Sequence, residues 1–336
     1  MSITRNWVRI LALAVAALAS AAASAEADKL RIALQPSITN LPLMLIQDGK
    51  LVEKHAKEAG LGNVEVTWLK FSGGNIMNES LLSGNLDLAS TGAPSFLFLW
   101  DKAQRSLDVK GIASYGATPL FLVTRNPDVK SIRDLSNKDR IAVPAVKSSV
   151  QAIILQMAAE KEWGKGQHGR LDGFTISRGH SDAAIAMLSP NNEINGHFAA
   201  PPYAQQELAQ PGYRTILKSY DVFGGPLSNG IIYTTSRFYE ANPKLTAAFL
   251  KSLDEALDFI RTQPRASAER YLRLSGDKLT VDQVEKIIAD PLANWSSTPQ
   301  NQFKFAEYMY GIGSLKRKAD SWKDLFFPIV HSKAGS

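Results

Sequence analysis

Hydrophobic positions along the chain fall into short blocks separated by polar breaks, and the spacing inside the blocks switches between a period of two and one near 3.6. Residues 29–34 (KLRIAL) alternate and then turn apolar, which predicts a strand that the run Gln35-Pro36-Ser37-Ile38-Thr39-Asn40 breaks. A helix is expected over 41–59, with Pro42 tolerated in its first turn and Gly49 dividing it into two parts. Residues 64–69 (VEVTWL) alternate as a second strand. A glycine-rich turn at Phe71 to Asn75 leads into a short helix over 76–82. The same order repeats: strand 86–90, break at Thr91-Gly92-Ala93-Pro94, helix 95–104, strand 109–114. Repeated strand–turn–helix order is the signature of a mostly parallel sheet covered by helices, the α/β class.

A second run of the same kind starts near Leu120. Strands are expected at 120–124, 140–143, 174–178 and 196–200. They are punctuated by Lys147-Ser148-Ser149 before a long apolar helix, by His180-Ser181-Asp182 before a helix over 183–188, and by Pro201-Pro202 before a helix over 203–209. Residues 213–217 and 230–234 read as returning strands, and from Asn242-Pro243 onward the pattern is mainly helical. Leu325-Phe326-Phe327 reads as a docked terminal segment and 331–336 as a loose tail. Trp68 and Phe174, within strands, are assigned to the core. No internal repeat or low-complexity linker separates the two runs.

Residues 1–25 have a different pattern. Arg5 and Arg9 precede the apolar stretch 10–19, and Ala23-Ser24-Ala25 supplies small residues for cleavage before Glu26. This is the pattern of an export leader, and the apolar stretch is about half of what a membrane-spanning helix needs. Export removes enzymes that depend on ATP, NADH or a reducing cytoplasm. The remaining chain, about 310 of the 336 residues, is long enough for two domains.

With 45% hydrophobic and 21% charged residues the chain has a globular composition. Its formal charge of +6 falls to +4 without Arg5 and Arg9, and no basic stripe carries interleaved aromatics, so nucleic acid is not an expected partner. There is no cysteine, which excludes disulfides, thiolate metal sites and thiol catalysis. A leader without a lipid-attachment cysteine predicts a protein free in the periplasm of a two-membraned host. His55, His168, His180, His197 and His331 are scattered without ligand spacing, so no metal and no cofactor is expected.

Each polar break lies where a strand runs into a helix. In an open α/β sheet such points gather in a crevice at the carboxyl ends of the strands. The candidate ligand-binding residues are Ser37, Thr39 and Asn40; Gly73, Gly74 and Asn75; Thr91, Gly92 and Ala93; and Tyr115. From the second run they are Lys147, Ser148 and Ser149, Arg178, His180, Ser181 and Asp182, with Pro201 and Tyr203. Short hydroxyls, amides and glycines at these points leave backbone N–H groups available, and helix N-termini favour anions. Taken singly, each break is equally an ordinary helix cap or turn. Phe71, Tyr115, Phe198 and Tyr203 are the aromatic candidates for the rim, and Arg178 and Lys147 the cationic ones. His180, Ser181 and Asp182 are adjacent in sequence, but a hydrolytic triad is defined by geometry and Ser181 lacks a nucleophile-elbow context. No catalytic set assembles from the sequence, and the chain is not expected to be an enzyme.

Several segments together resemble a known family. They are KLRIALQPSITNLPLMLIQDGKLVEKHAKEAGL, GGNIMNESLLSGNLDLASTGAPSFLFL, VKSIRDLSNKDRIAVPAVKSSVQAIIL, ISRGHSDAAIAMLSPNNEINGHFAAPPYAQQEL and YTTSRFYEANPKLTAAFLKSLDEAL. In this order, over about 30–328, the chain resembles the periplasmic substrate-binding proteins of ABC importers, of the nitrate/sulfonate/taurine type with the SsuA/THI5-like fold. The resemblance implies a type II periplasmic-binding fold. Domain I would be built from 30–117 plus 223–328 and domain II from 118–222. It also implies ligand contacts at the breaks named above, with Ser228 or Asn229 adding to them from the return segment. The implied function is capture of a small organic anion such as an alkanesulfonate or taurine. The carrier, a monomer, would deliver it to an inner-membrane ABC permease driven by a cytoplasmic ATPase. An aromatic or heterocyclic acid or a pyrimidine-type solute is the rival cargo, and an exported enzyme or a ligand-sensing protein on the same scaffold the rival role. The chain departs from many relatives at Lys147-Ser148-Ser149, where they carry Gly-Ser, and at 197–203, where they carry an Asp-Ala pair.

Overall fold

The computed structural model describes residues 26–35, 37–71, 73–103, 107–190 and 193–336. The expected export leader, 1–25, lies outside the described residues, as do Pro36 and Ser72 of two candidate breaks.

The first half unfolds as β1 (Lys29–Leu34), α1 (Leu41–Gly49), α2 (Leu51–Glu58), β2 (Glu65–Lys70), α3 (Gly74–Leu82), β3 (Ala89–Thr91), α4 (Ala93–Lys102) and β4 (Val109–Ser114). The second run follows as β5 (Phe121–Thr124), β6 (Ile141–Val143), α5 (Val150–Trp163), β7 (Thr175–Ser177), α6 (His180–Leu188), β8 (Gly196–Ala199), α7 (Tyr203–Leu208) and β9 (Arg214–Lys218). The chain ends with α8 (Ser219–Phe223), β10 (Ile231–Thr235), α9 (Ser236–Ala241), α10 (Pro243–Thr262), α11 (Pro264–Ser275), α12 (Val281–Ile288) and α13 (Gln302–Gly311).

These strands build two sheets of one design. In the first, β1 pairs in parallel with β2, and β10 lies between β3 and β4. A parallel bridge from Ile32 to Leu88, with Ala33 N–H donating to Leu88 C=O at 2.9 Å, joins the two parts into the order β2-β1-β3-β10-β4. The second sheet has the order β7-β6-β8-β5-β9. In both, the local strands stand second, first, third and fourth, and one strand that crosses from the other half sits between third and fourth. The crossing strands, β10 and β5, are antiparallel to both neighbours. The sheets are therefore mixed rather than mostly parallel: a strand that returns from the other domain enters its sheet from the opposite end, which local periodicity does not record.

The helix expected over 41–59 is indeed divided, but at Lys50, whose φ of 48° ends α1 and starts α2. The helix at 180 begins three residues earlier than expected, with Gly179 as its extended N-cap. His180, Ser181 and Asp182 therefore form its first turn instead of preceding it. Helix α10 buries Leu245, Phe249, Leu253, Leu257 and Ile260, spaced at three and four residues, in a core shared with α1 and α2. Fully burying each such side chain stabilises the fold by about 1.5–3 kcal/mol. Leu325 to Phe327 are buried as expected, and Phe326 bridges Gly111 beside β4. The final residues are not a loose tail: Ser336 accepts hydrogen bonds from Gln302 N–H at 2.7 Å and, through its hydroxyl, from Asn301 N–H at 2.9 Å. Trp68 and Phe174 are half-buried and pack at the edges of the two main cores.

Candidate functional site

The loops at the carboxyl ends of the strands of both sheets meet around a cavity of about 370 Å³. Its first wall carries Ser37, Thr39 and Asn40 after β1, Phe71, Gly73 and Gly74 after β2, Thr91, Gly92 and Ser95 around the start of α4, and Tyr115 after β4. The facing wall carries Pro144, Ala145, Ser149, Val150 and Gln151 after β6, Gly179 to Asp182 after β7, and Ala200, Pro201 and Tyr203 after β8. Leu120 and Asn229 line it from the two crossovers.

Four helices begin at this cavity, two from each domain. Helices α3, α4 and α6 start from Gly73, Gly92 and Gly179, none with a side-chain cap, so their first-turn N–H groups have no side-chain acceptor. The fourth, α5, is capped: Ser149 Oγ accepts from Ala152 N–H at 3.3 Å and donates to Ala145 C=O at 2.7 Å. Together these ends make the cavity favourable for negative charge without a charged side chain.

Several polar side chains are already engaged. Ser37 and Thr39 share a hydroxyl–hydroxyl bond of 2.7 Å, and Asn40 Nδ2 donates to Ser37 Oγ at 3.0 Å. Asn40 Oδ1, buried, has no partner. Asn229 has a structural duty: its Oδ1 accepts from the backbone N–H and hydroxyl of Thr118, and its Nδ2 donates to Thr118 C=O at 3.0 Å, pinning the two crossovers together. Tyr203 lies over His180 with ring centroids 6.0 Å apart and planes 21° from parallel, and burial raises its hydroxyl pKa.

Other candidates stand off this wall. Asn75 is exposed on α3, and Ala93 is buried inside α4. Lys147 is exposed at the tip of its turn with a φ of 61°, and Ser148 bonds back weakly to Val146 C=O at 3.4 Å. Arg178 directs its guanidinium to Glu193 at 3.3 Å, outside the cavity, because its backbone N–H continues the β7 edge by donating to Val143 C=O. Phe198 is wholly buried in the core beside Leu122, so it is not a rim aromatic. Among the described lining residues there is no lysine or arginine, and Asp182 is the one acid.

Sequence reasoning passed over Gln151 and the surroundings of His180. Gln151 is the second residue of an apolar helix and marks itself only as a polar residue, 6% exposed, where a hydrophobic one would pack. Its amide meets His180 Nε2 at 3.0 Å, and His180 Nδ1 meets His197 Nε2 at 2.8 Å. Burial, and then the neighbouring His197, hold the His180 imidazole far below its ordinary pKa, so it is neutral at physiological pH. Among the described residues, no group of three or more His, Asp or Glu side chains is disposed to hold a metal ion.

Two domains of one strand order, chain crossing twice between them and a polar cavity at their facing strand ends, define the two-domain α/β fold of type II periplasmic binding proteins. Residues 57–267 match the NMT1/THI5-like family, and the chain belongs to that family. The alkanesulfonate-binding protein SsuA of Xanthomonas axonopodis pv. citri, in a structure bound to MOPS, shares the fold with a TM-score of 0.70 and 19% identity, over 88% of this chain and 96% of its own. The periplasmic aliphatic sulphonate-binding protein SsuA of Escherichia coli does so with a TM-score of 0.67 and 21% identity, over 88% and 98%. The periplasmic nitrate-binding protein NrtA of Synechocystis PCC 6803 follows with 0.68 and 13%, over 88% and 84%. No curated protein matches the chain in sequence.

Proposed function

We propose that this chain is the periplasmic solute-binding component of an ABC importer and that its cargo is a small organic anion of the sulfonate type. The observation that carries the reading is the convergence of four helix N-termini, three of them uncapped, on a cavity without a cationic side chain. Anionic oxygens would be held by backbone N–H groups and short polar side chains, and an organic tail by Phe71, Leu120 and Tyr203. Contacts from both domains to one ligand favour their approach, and the closed carrier, a monomer, delivers to a membrane permease coupled to a cytoplasmic ATPase. The folds of the sulfonate- and nitrate-binding proteins support this role. No helix among the described residues is long and apolar enough to cross a membrane.

One observation favours a second cargo, a heterocyclic acid with a hydrogen-bond donor. The Tyr203–His180 face offers a stacking platform, and Asp182 and the free Asn40 Oδ1 offer acceptors. Calorimetric titration with butanesulfonate, taurine, nitrate and pyridine carboxylates separates the two. Tightest binding of butanesulfonate or taurine supports the first reading, and tightest binding of the pyridine acids supports the second. If none of them binds or raises the melting temperature, the solute-binding proposal fails.

A further inference from the structure

His180 turns one ring nitrogen to Gln151 on the cavity wall and the other into domain II, where a buried chain of hydrogen bonds begins. His180 Nδ1 lies 2.8 Å from His197 Nε2, and His197 Nδ1 lies 2.5 Å from Glu207 Oε1. His197 and Glu207 are both wholly buried, and the second carboxyl oxygen of Glu207 has no partner. At the other end His180 Nε2 meets the Gln151 amide, whose oxygen and nitrogen interchange by a flip.

Each contact in this chain holds one proton, which leaves two arrangements for neutral imidazoles. With Glu207 ionised, His197 Nδ1–H donates to the carboxylate and His180 Nδ1–H donates to His197. His180 Nε2 then accepts from the Gln151 amide N–H, and the Gln151 oxygen is left as an acceptor on the cavity wall. With Glu207 protonated, its O–H donates to His197 Nδ1, His197 Nε2–H donates to His180 Nδ1, and His180 Nε2–H donates to the Gln151 amide oxygen, which leaves the Gln151 N–H groups as the donors on the cavity wall. The two differ by one proton, taken from or returned to solvent.

We propose that Glu207, acting through His197, is the positioning residue that sets the hydrogen-bond sense of His180 at the ligand site. One buried proton makes this wall a donor to an anionic oxygen, and its loss makes the wall an acceptor. This deepens the solute-binding reading and rests on it for the ligand. Burial pushes the Glu207 carboxyl up to about 8 and both imidazoles far down, which places the proton on Glu207 at neutral pH. An unpartnered buried oxygen is also less costly on a neutral acid than on a carboxylate. Few charges compete. Strands β5 and β6, which flank His197, carry no ionisable side chain, and α5 contributes only Gln151 at this end. Helix α6 adds the exposed Asp182; α7 adds Tyr203, with Asp277 of the α11–α12 connection facing it.

The test has a ligand-free arm and a binding arm. In the whole protein with histidine labelled by nitrogen-15, NMR should find His180 and His197 protonated at Nε2 near about pH 6.5 and at Nδ1 near about pH 9.5. Glu207→Gln, whose amide does not ionise, should hold one tautomer pattern throughout this range. Butanesulfonate stays ionised over this range, so its affinity should fall by about tenfold per pH unit above about pH 8 in the parent and stay level in Glu207→Gln. Unchanged tautomers in the parent across this range overturn the proposal whether or not the variant folds. So does an alkaline loss of affinity that Glu207→Gln retains. Failure of butanesulfonate to bind near pH 6.5 counts against the sulfonate reading, while the NMR arm still decides the relay.

Discussion

Gly92 and Val150 set how closely the two domains meet, and replacing Gly92 by alanine tests whether that approach matters for capture. Gly92 is the N-cap of α4 in the first domain, and Val150 is the first residue of α5 in the second. A Cβ built on Gly92 would lie 2.4 Å from Val150 Cγ2, with Asn229 C=O also within 3.6 Å. Carbon atoms pack at about 3.5–4.0 Å, so the two walls must separate by more than about 1 Å or Val150 must turn. Valine in a helix keeps one strongly preferred rotamer, so turning is the costlier route. The backbone at Gly92, with φ −66° and ψ 155°, suits alanine, so the substitution introduces a steric change and no strain in the chain itself.

Overpacking of this size costs about 1–3 kcal/mol. The cost falls only on the state in which the walls touch, since a slight opening removes the overlap. It should therefore appear as weaker binding and not as a lower melting temperature of the ligand-free protein. At 1.4 kcal/mol per tenfold, Gly92→Ala should weaken butanesulfonate binding by about 5- to 150-fold in calorimetric titration. Val150→Ala in the same chain removes the clashing methyl and should restore most of the loss. Parent-like affinity in Gly92→Ala, or a loss that Val150→Ala leaves untouched, refutes the reasoning.

Gly230→Ala should lower the melting temperature, because its Cβ would lie 1.9 Å from Tyr115 Oη and Tyr115 is buried against the core; about 1–3 kcal/mol is at stake, and a parent-like melting curve would show that the ring moves aside freely. Arg178→Ala should leave affinity unchanged and stability within about 1 kcal/mol, since its partner Glu193 is exposed and neither lines the cavity; a tenfold loss of affinity returns Arg178 to the site. Stability should peak near pH 6.5: Glu207 keeps its proton to about pH 8 in the fold but only to about 4.5 unfolded, so its contribution is lost as pH rises, whereas His180 and His197, neutral in the fold down to about pH 3, take up protons on unfolding below 6.5. Melting curves of Glu207→Gln should lose the decline between about pH 6.5 and 8 and keep the acid one; an unchanged alkaline decline would place its origin elsewhere.

The breaks that reach the cavity were legible because their chemistry is local. Glycine at 73 and 92, serine at 37 and 149, and proline at 201 each stop one element and start the next within a few residues, and parallel strands bring such points to one edge. Side-chain direction was not legible. Arg178 sits one residue past β7, where a shift of register decides between cavity and surface, and its acidic partner, Glu193, comes only after α6. Lys147 follows the same logic, turned outward by a left-handed backbone that favours glycine. The antiparallel insertion of β5 and β10 depends on which domain a strand returns from, a fact no window of residues contains. Glu207 is the hardest case. It reads as a surface residue of a short helix, and only the packing of α7 against α6 and β5 brings it to His197.

That packing also explains how an anion site dispenses with a cation. An imidazolium at position 180 would stand in the first turn of α6, where the positive end of the helix opposes it. A carboxylate at 207 would stand in the last turn of α7, where the negative end opposes that charge too. Both helices therefore favour the neutral pair, proton on the acid and none added to the rings. His180 then donates to Gln151, whose N–H groups face the cavity as the uncapped N–H groups of α3, α4 and α6 do, by a dipole and not by a charge. On this arrangement the proton that orients the site is held by Glu207, buried away from the ligand, so a cargo that loses its own charge does not disturb it, while a change in pH does.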